Sequence, residues 1–173
     1  MLRVQSSLRT NAPIVVQTDF YVPIEVVMEA DSEEVATYWR TGDHPHSLVE
    51  VGIDPPSGRF RSVTIPLASV EATVRVANAP VSQPTQPGVP TFDTGTLRGS
   101  YTDERGVFFL RVGPDVVWLD FAPGVPHVRE LRHGPVRFLL GAEDAWLGVV
   151  VEELTERQLS ELWVGVHREG SGA

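Results

Sequence analysis

No cysteine, no lysine and no long apolar run occur in this 173-residue chain. Without cysteine there is no disulfide, no thiolate metal site and no cysteine nucleophile, which agrees with a reducing compartment. Every one of the 14 basic residues is arginine, the codon signature of a GC-rich bacterial genome. Against them stand 23 acidic residues, for a formal net charge of −9. That balance argues against direct nucleic-acid binding, whose affinity comes from pairing phosphates with basic groups. The N-terminal stretch carries Arg3 and Arg9, but its longest apolar run is Ile14-Val15-Val16. A secretory h-region needs about 7–15 apolar residues and a spanning helix about 20. Neither is expected here, so the chain reads as cytoplasmic with no membrane partner. A chain of this length buries roughly 70% of its unfolded surface, enough for a core without covalent staples.

What is present is strand-like. The 27 valines fall in short runs separated by Gly, Pro, Asp and Asn, the punctuation of a β-rich chain. Residues 20–29 read as a first long strand, and Pro23 within it suggests an edge or a bulge because proline cannot donate to the ladder. Residues 47–53 and 60–67 read as a hairpin, with Val49, Val51 and Ile53 on one face and Leu48 and Glu50 on the other. Its turn, Asp54-Pro55-Pro56-Ser57-Gly58, has a mechanism: proline presets φ and glycine accepts φ > 0. A second hairpin joins residues 106–112 to 116–121, and a third joins 135–140 to 146–151 through Gly141-Ala142-Glu143-Asp144. After Leu154 the period changes. Thr155 and Gln158 fit a capping box, and Leu159, Leu162 and Trp163 fall on one helical face. Residues 31–39 fit either a short capped helix or a strand. Residues 78–90 hold four prolines and no charge, and read as an extended connector between two β-rich halves. The expectation is a single α+β domain over residues 1–173, mostly antiparallel sheet built from hairpins, with one C-terminal helix. Short connections favour antiparallel pairing over βαβ units.

Few residues offer chemistry. In His44-Pro45-His46 the two imidazoles share a face on extended backbone, and with Asp43, His127 or His133 they could hold the metal of a metal-dependent enzyme. A structural zinc site needs four ligands, and nothing else in the chain has ligand spacing. There is no G-x-S-x-G elbow and no S-x-x-K pair. The adjacent acids Glu33-Glu34 and Glu152-Glu153 point apart in either regular structure. The stretch from Asp93 to Ser100 has two glycines near Arg98 but lacks the lysine of a P-loop, so it reads as a strand-entry loop. Trp39, Trp118, Trp146 and Trp163 could line the pocket of a small-molecule sensor, although Trp118 and Trp146, flanked by Val and Leu, read as core. No catalytic residue, metal or cofactor is assigned.

The distinctive feature is the placement of negative charge. Glu25, Glu29, Asp31, Glu33 and Glu34 follow one another with no arginine between them, a net −5. Glu143, Asp144, Glu152, Glu153, Glu156 and Glu161 are opposed in sequence by Arg157 alone, again −5. Clustered charge destabilises a fold slightly but steers a basic partner and accelerates association. Solvated acidic surface is the plain alternative. Residues 49–64, from Val49 through Gly58 to Thr64, and residues 136–155, from Val136-Arg137-Phe138 to Glu152-Glu153-Leu154-Thr155, resemble uncharacterised immunity-like proteins of bacterial polymorphic toxin systems. The resemblance implies a non-enzymatic protein that binds and neutralises one toxin domain, and it supplies no catalytic or binding residue of its own. The expected partner-binding residues are therefore the acids: Glu25, Glu29, Asp31, Glu33 and Glu34 in one group, Glu143, Asp144, Glu152 and Glu153 in the other.

Overall fold

Alternate residues of the valine-rich segments turn inward, and two β-sheets close on the apolar layer they share. The computed structural model describes residues 1–29, 33–69 and 71–168, with side chains given up to residue 166. In spatial order the first sheet runs β10 (Tyr101–Arg105), β4 (Thr37–Gly42), β5 (Leu48–Ile53), β6 (Phe60–Leu67), β3 (Ile24–Met28) and β2 (Ile14–Gln17). The second runs β7 (Thr73–Arg75), β11 (Phe109–Val112), β12 (Val117–Asp120), β15 (Trp146–Val151), β14 (Val136–Leu140), β13 (Arg129–His133) and β8 (Thr85–Pro87). A ribbon of β1 (Val4–Leu8) and β9 (Val89–Phe92) adds Leu2, Val4, Val89 and Phe92 to the same core. Pairing is antiparallel throughout except at three outermost pairs, β10 with β4, β7 with β11 and β8 with β13. The architecture is thus α+β and dominated by antiparallel sheet.

All three expected hairpins form, as β5–β6, β11–β12 and β14–β15. In the first, Val49, Val51 and Ile53 are fully buried while Leu48 and Glu50 are half-buried, as alternation requires. Gly58 takes φ 70°, where an added Cβ would lie 2.4 Å from the Phe92 carbonyl oxygen, so the turn admits glycine alone. Ring contacts then tie the sheets together. Trp39 meets Phe121 at 6.0 Å, Phe121 meets Trp146 at 5.0 Å, and Phe60 meets Phe138 at 4.9 Å, each edge-on.

Helix α1 (Glu156–Arg168) starts on the expected box: Thr155 N–H donates to Gln158 Oε1 at 3.0 Å and Gln158 N–H to Thr155 Oγ1 at 3.3 Å. Its inner face buries Leu159, Leu162 and Val166. Gly165 lets it approach the turn before β3, where a Cβ would stand 3.2 Å from the Asp19 carbonyl oxygen.

Several expectations are revised. The strand read over residues 20–29 begins only at Ile24, after Pro23, and lies between β6 and β2 rather than at an edge. Proline is tolerated there because it precedes the ladder instead of interrupting it. Of the undecided segment, Thr37 onward is strand β4. The segment 78–90 is extended, but it contains β8 and the start of β9 and is laid along the second sheet. The two β-rich halves exchange edge strands. β7, before the proline-rich segment, edges the second sheet, and β10, after it, edges the first.

Candidate functional site

The first acidic group lies on β3 and the loop that follows. Glu25 points from the outer face of the first sheet, where Thr64 Oγ1 approaches it at 3.4 Å. Glu29, Glu33 and Glu34 are exposed, and Asp31 lies outside the described residues. Two arginines of β6 and its turn reach this loop through its main chain: Arg59 donates to the Glu29 carbonyl at 3.4 Å and Arg61 to the Glu34 carbonyl. Those contacts fix the backbone and leave the Glu29 and Glu33 carboxylates without an ion pair among the described residues. Beside them Val35 is 82% exposed. It forms one wall of a cleft of about 350 Å³, with Ala36 and Thr37 at the entry to β4, Pro55 in the hairpin turn, and Leu97 and Ser100 in the loop from the 3₁₀ turn Thr94–Thr96. Asp93 caps that turn by accepting from Gly95 N–H at 2.9 Å, so this glycine-containing loop is a strand entry.

The second group has a different fate. Glu143 and Asp144 occupy the two central positions of the β14–β15 turn with φ 53° and 59°, the left-handed pair of a type I′ hairpin, where Asn-Gly is the usual choice. Arg3 reaches Glu143 at 3.2 Å, and Arg129 Nε donates to Asp144 Oδ1 at 3.1 Å. Glu152 accepts from Arg132 at 3.0 Å and lies 2.9 Å from Arg137 Nε. Glu161 pairs with Arg157 at 2.8 Å one helical turn away, and the hydrogen bonds from Arg157 and Thr18 hold its carboxyl below the usual range. Glu153 is exposed with φ 63°. Apart from Arg157 on α1, the arginines that neutralise this group come from β13, β14 and the N-terminus, which are distant in sequence or on neighbouring strands.

Beyond Glu152 lies a buried polar network that charge counting along the sequence missed. Glu130 on β13 is 0% exposed and Arg137 on β14 is 2% exposed, joined at 2.8 Å. Glu130 also accepts from Gln83 N–H at 3.2 Å, Ser82 Oγ at 3.1 Å and Thr85 Oγ1 at 3.3 Å, and contacts His127 Nε2 at 3.1 Å. Arg137 donates onward to the Pro80 carbonyl at 3.3 Å. Burial pushes the Glu130 carboxyl up, but the Arg137 hydrogen bond and charge, with the Gln83 and Ser82 donors, bring it below the ordinary value. These charges clasp the proline-rich strap, residues 76–84, onto the outer face of the second sheet. There Ala79 covers a second apolar cluster of Val116, Leu139, Leu147 and Val150. The signal in the sequence was Arg137 within the otherwise apolar strand β14.

The histidines do not converge. His44 has φ 70° in a loop organised by Asp43, whose carboxylate accepts from His46 N–H at 3.0 Å and Ser47 N–H at 2.7 Å. His127 belongs to the Glu130 network, and His133 contacts the Ala12 carbonyl at 2.7 Å. Among the described residues no three His, Asp or Glu side chains are grouped to hold a metal ion. The tryptophans are likewise dispersed: Trp39 and Trp146 are core, Trp118 lies on the outer face of the second sheet, and Trp163 lines a groove beside α1. No helix among the described residues is long and apolar enough to cross a membrane. Compared with known proteins, the chain matches no family model and no curated sequence.

Proposed function

We propose that the protein is a non-enzymatic, cytoplasmic binding protein that neutralises a basic protein partner, in the manner of immunity proteins toward toxin domains. The interface is the surface around Glu29, Glu33 and Val35. The observation that carries this reading is the conjunction of an 82%-exposed valine, an adjacent cleft and the Glu29 and Glu33 carboxylates, which make no ion pair among the described residues. An exposed apolar residue beside available carboxylates fits a contact whose centre is desolvated and whose rim steers approach. A partner whose own site is built for phosphate presents the complementary arginines and lysines.

The test begins with capture from the native lysate on wild-type protein, followed by association kinetics with the purified partner. Reversal at Glu29, Glu33 and Glu34 together should slow association by about 10-fold or more, and rising salt should erase the difference. Reversal at the scattered exposed acids Glu71, Asp115 and Glu153 should change it by less than about threefold. A partner that binds both triple variants alike, at every salt concentration, overturns the reading.

A further inference from the structure

A separate groove runs between α1, β7 and the β11–β12 turn, with a volume of about 620 Å³. Small-molecule sites commonly fall between about 300 and 1,000 Å³. Its walls are apolar: Pro114 from the turn, and Leu159, Trp163 and Val164 from the helix. Glu156, Ser160 and Val164 follow one another at four-residue spacing and so form a single exposed stripe along it.

Two opposite charges enter this groove. The Arg75 guanidinium lies over the Trp163 ring, 4.2 Å from its centroid. Stacking uses the face of the guanidinium and leaves its in-plane N–H donors directed outward, the fork geometry that takes a carboxylate. Arg75 makes no ion pair or hydrogen bond among the described residues. Glu156, in the first turn of α1, is also exposed and makes none, and the two are too far apart to pair with each other. Most other charged residues of the second sheet are tied into pairs, so two unsatisfied groups of opposite sign on one apolar groove form a complementary set.

We propose that this groove binds a small zwitterion, a free α-amino acid with an apolar side chain, with its carboxylate on Arg75, its ammonium on Glu156 and its side chain against Trp163, Val164 and Pro114. Ser160 adds a hydroxyl on the same stripe as Glu156. The site is independent of the acidic docking surface proposed above.

The experiment is an NMR titration of the full chain with L-phenylalanine, read at the Trp163 indole N–H. N-acetyl-phenylalanine keeps only the carboxylate and phenylalaninamide only the ammonium. The open groove and ligand size set an expected Kd of about 1 mM for phenylalanine. Both blocked analogues should bind at least about 10-fold more weakly, as should phenylalanine to Arg75→Gln and to Glu156→Gln. The Glu156 variant leaves the Arg75–Trp163 stack untouched, so its loss cannot be ascribed to movement of the ring. Resonances away from the groove should stay in place in both variants. Absence of any Trp163 shift at 20-fold the expected Kd, or equal binding of phenylalanine and its blocked analogues, overturns the proposal.

Discussion

The two acidic groups carry the same charge along the chain and opposite roles in space. Four of the six acids of residues 143–161 are drawn into ion pairs: Glu143 meets Arg3, Asp144 meets Arg129, Glu161 meets Arg157, and Glu152 meets Arg132 and Arg137, whose own partner Glu130 is buried beneath the strap. Beside Glu29, Glu33 and Glu34, Arg59 reaches the Glu29 carbonyl, Arg61 reaches the Glu34 carbonyl and the Asp54 carboxylate, and Glu29 and Glu33 keep their charge on the surface beside Val35. Equal net charge therefore says nothing about availability. What decides it is whether neighbouring strands bring guanidinium groups to the carboxylates, and antiparallel pairing of β14 with β13 and with β15 does so for one group only.

The contrast is sharpest at the buried pair. Replacing Arg137 with Met leaves Glu130 charged and without its main donor, and should cost about 3–5 kcal/mol in urea unfolding. Replacing both, as Glu130→Leu with Arg137→Met, should recover most of that loss, because the uncompensated charge is gone. A milder loss in the single variant than in the double would break the account of the strap as a charge-held clasp.

Acid should act through the same group. Because the folded state holds Glu130 below its ordinary value, its contribution is fully present above the unfolded carboxyl's pKa of about 4.3. That contribution disappears as pH falls through the lower, folded value. The stability gap between wild type and Glu130→Gln, about 1–3 kcal/mol near neutrality, should hold from pH 7 to about 5 and shrink at lower pH. Urea midpoints at stepped pH measure it, and a gap that widens toward acid contradicts it.

A smaller effect of opposite sign is expected at the turn. Glu143 adopts φ 53° and its ion pair with Arg3 is mostly exposed, at 77% and 64% for the two side chains. An exposed pair contributes little, whereas a left-handed non-glycine residue carries a conformational cost. Glu143→Gly should raise stability by about 0.5–1 kcal/mol, read as a higher thermal midpoint.

Much of this architecture was legible from local pattern. Asp54 to Gly58 encodes its turn through proline and a left-handed glycine, Val49, Val51 and Ile53 declare their face, and Thr155 with Gln158 announces the helix start. What escaped was non-local. β13 carries Arg129, Glu130 and Arg132 among its five residues and looks like a loop until its partners bury Glu130. β1 and β2 are short, and β7 and β10 exchange between sheets, pairings that local periodicity cannot specify. The acidic groups were visible as charge, but the arginines that neutralise one of them lie on other strands. The Arg75–Trp163 groove joins residues 88 positions apart in the chain; Trp163 was visible as a candidate pocket residue, but its partner Arg75 was not.

The central claim, that one acidic group is structural and the other available, is tested most directly by paired neutralisation without any partner. Glu29→Gln with Glu33→Gln should leave the urea midpoint stability within about 0.5 kcal/mol of wild type, or raise it slightly by relieving repulsion. Asp144→Asn with Glu152→Gln should lower it by about 1.5–3 kcal/mol, since Glu152 supports the buried Arg137. Equal losses in the two double variants, or a larger loss in the first, would contradict the account.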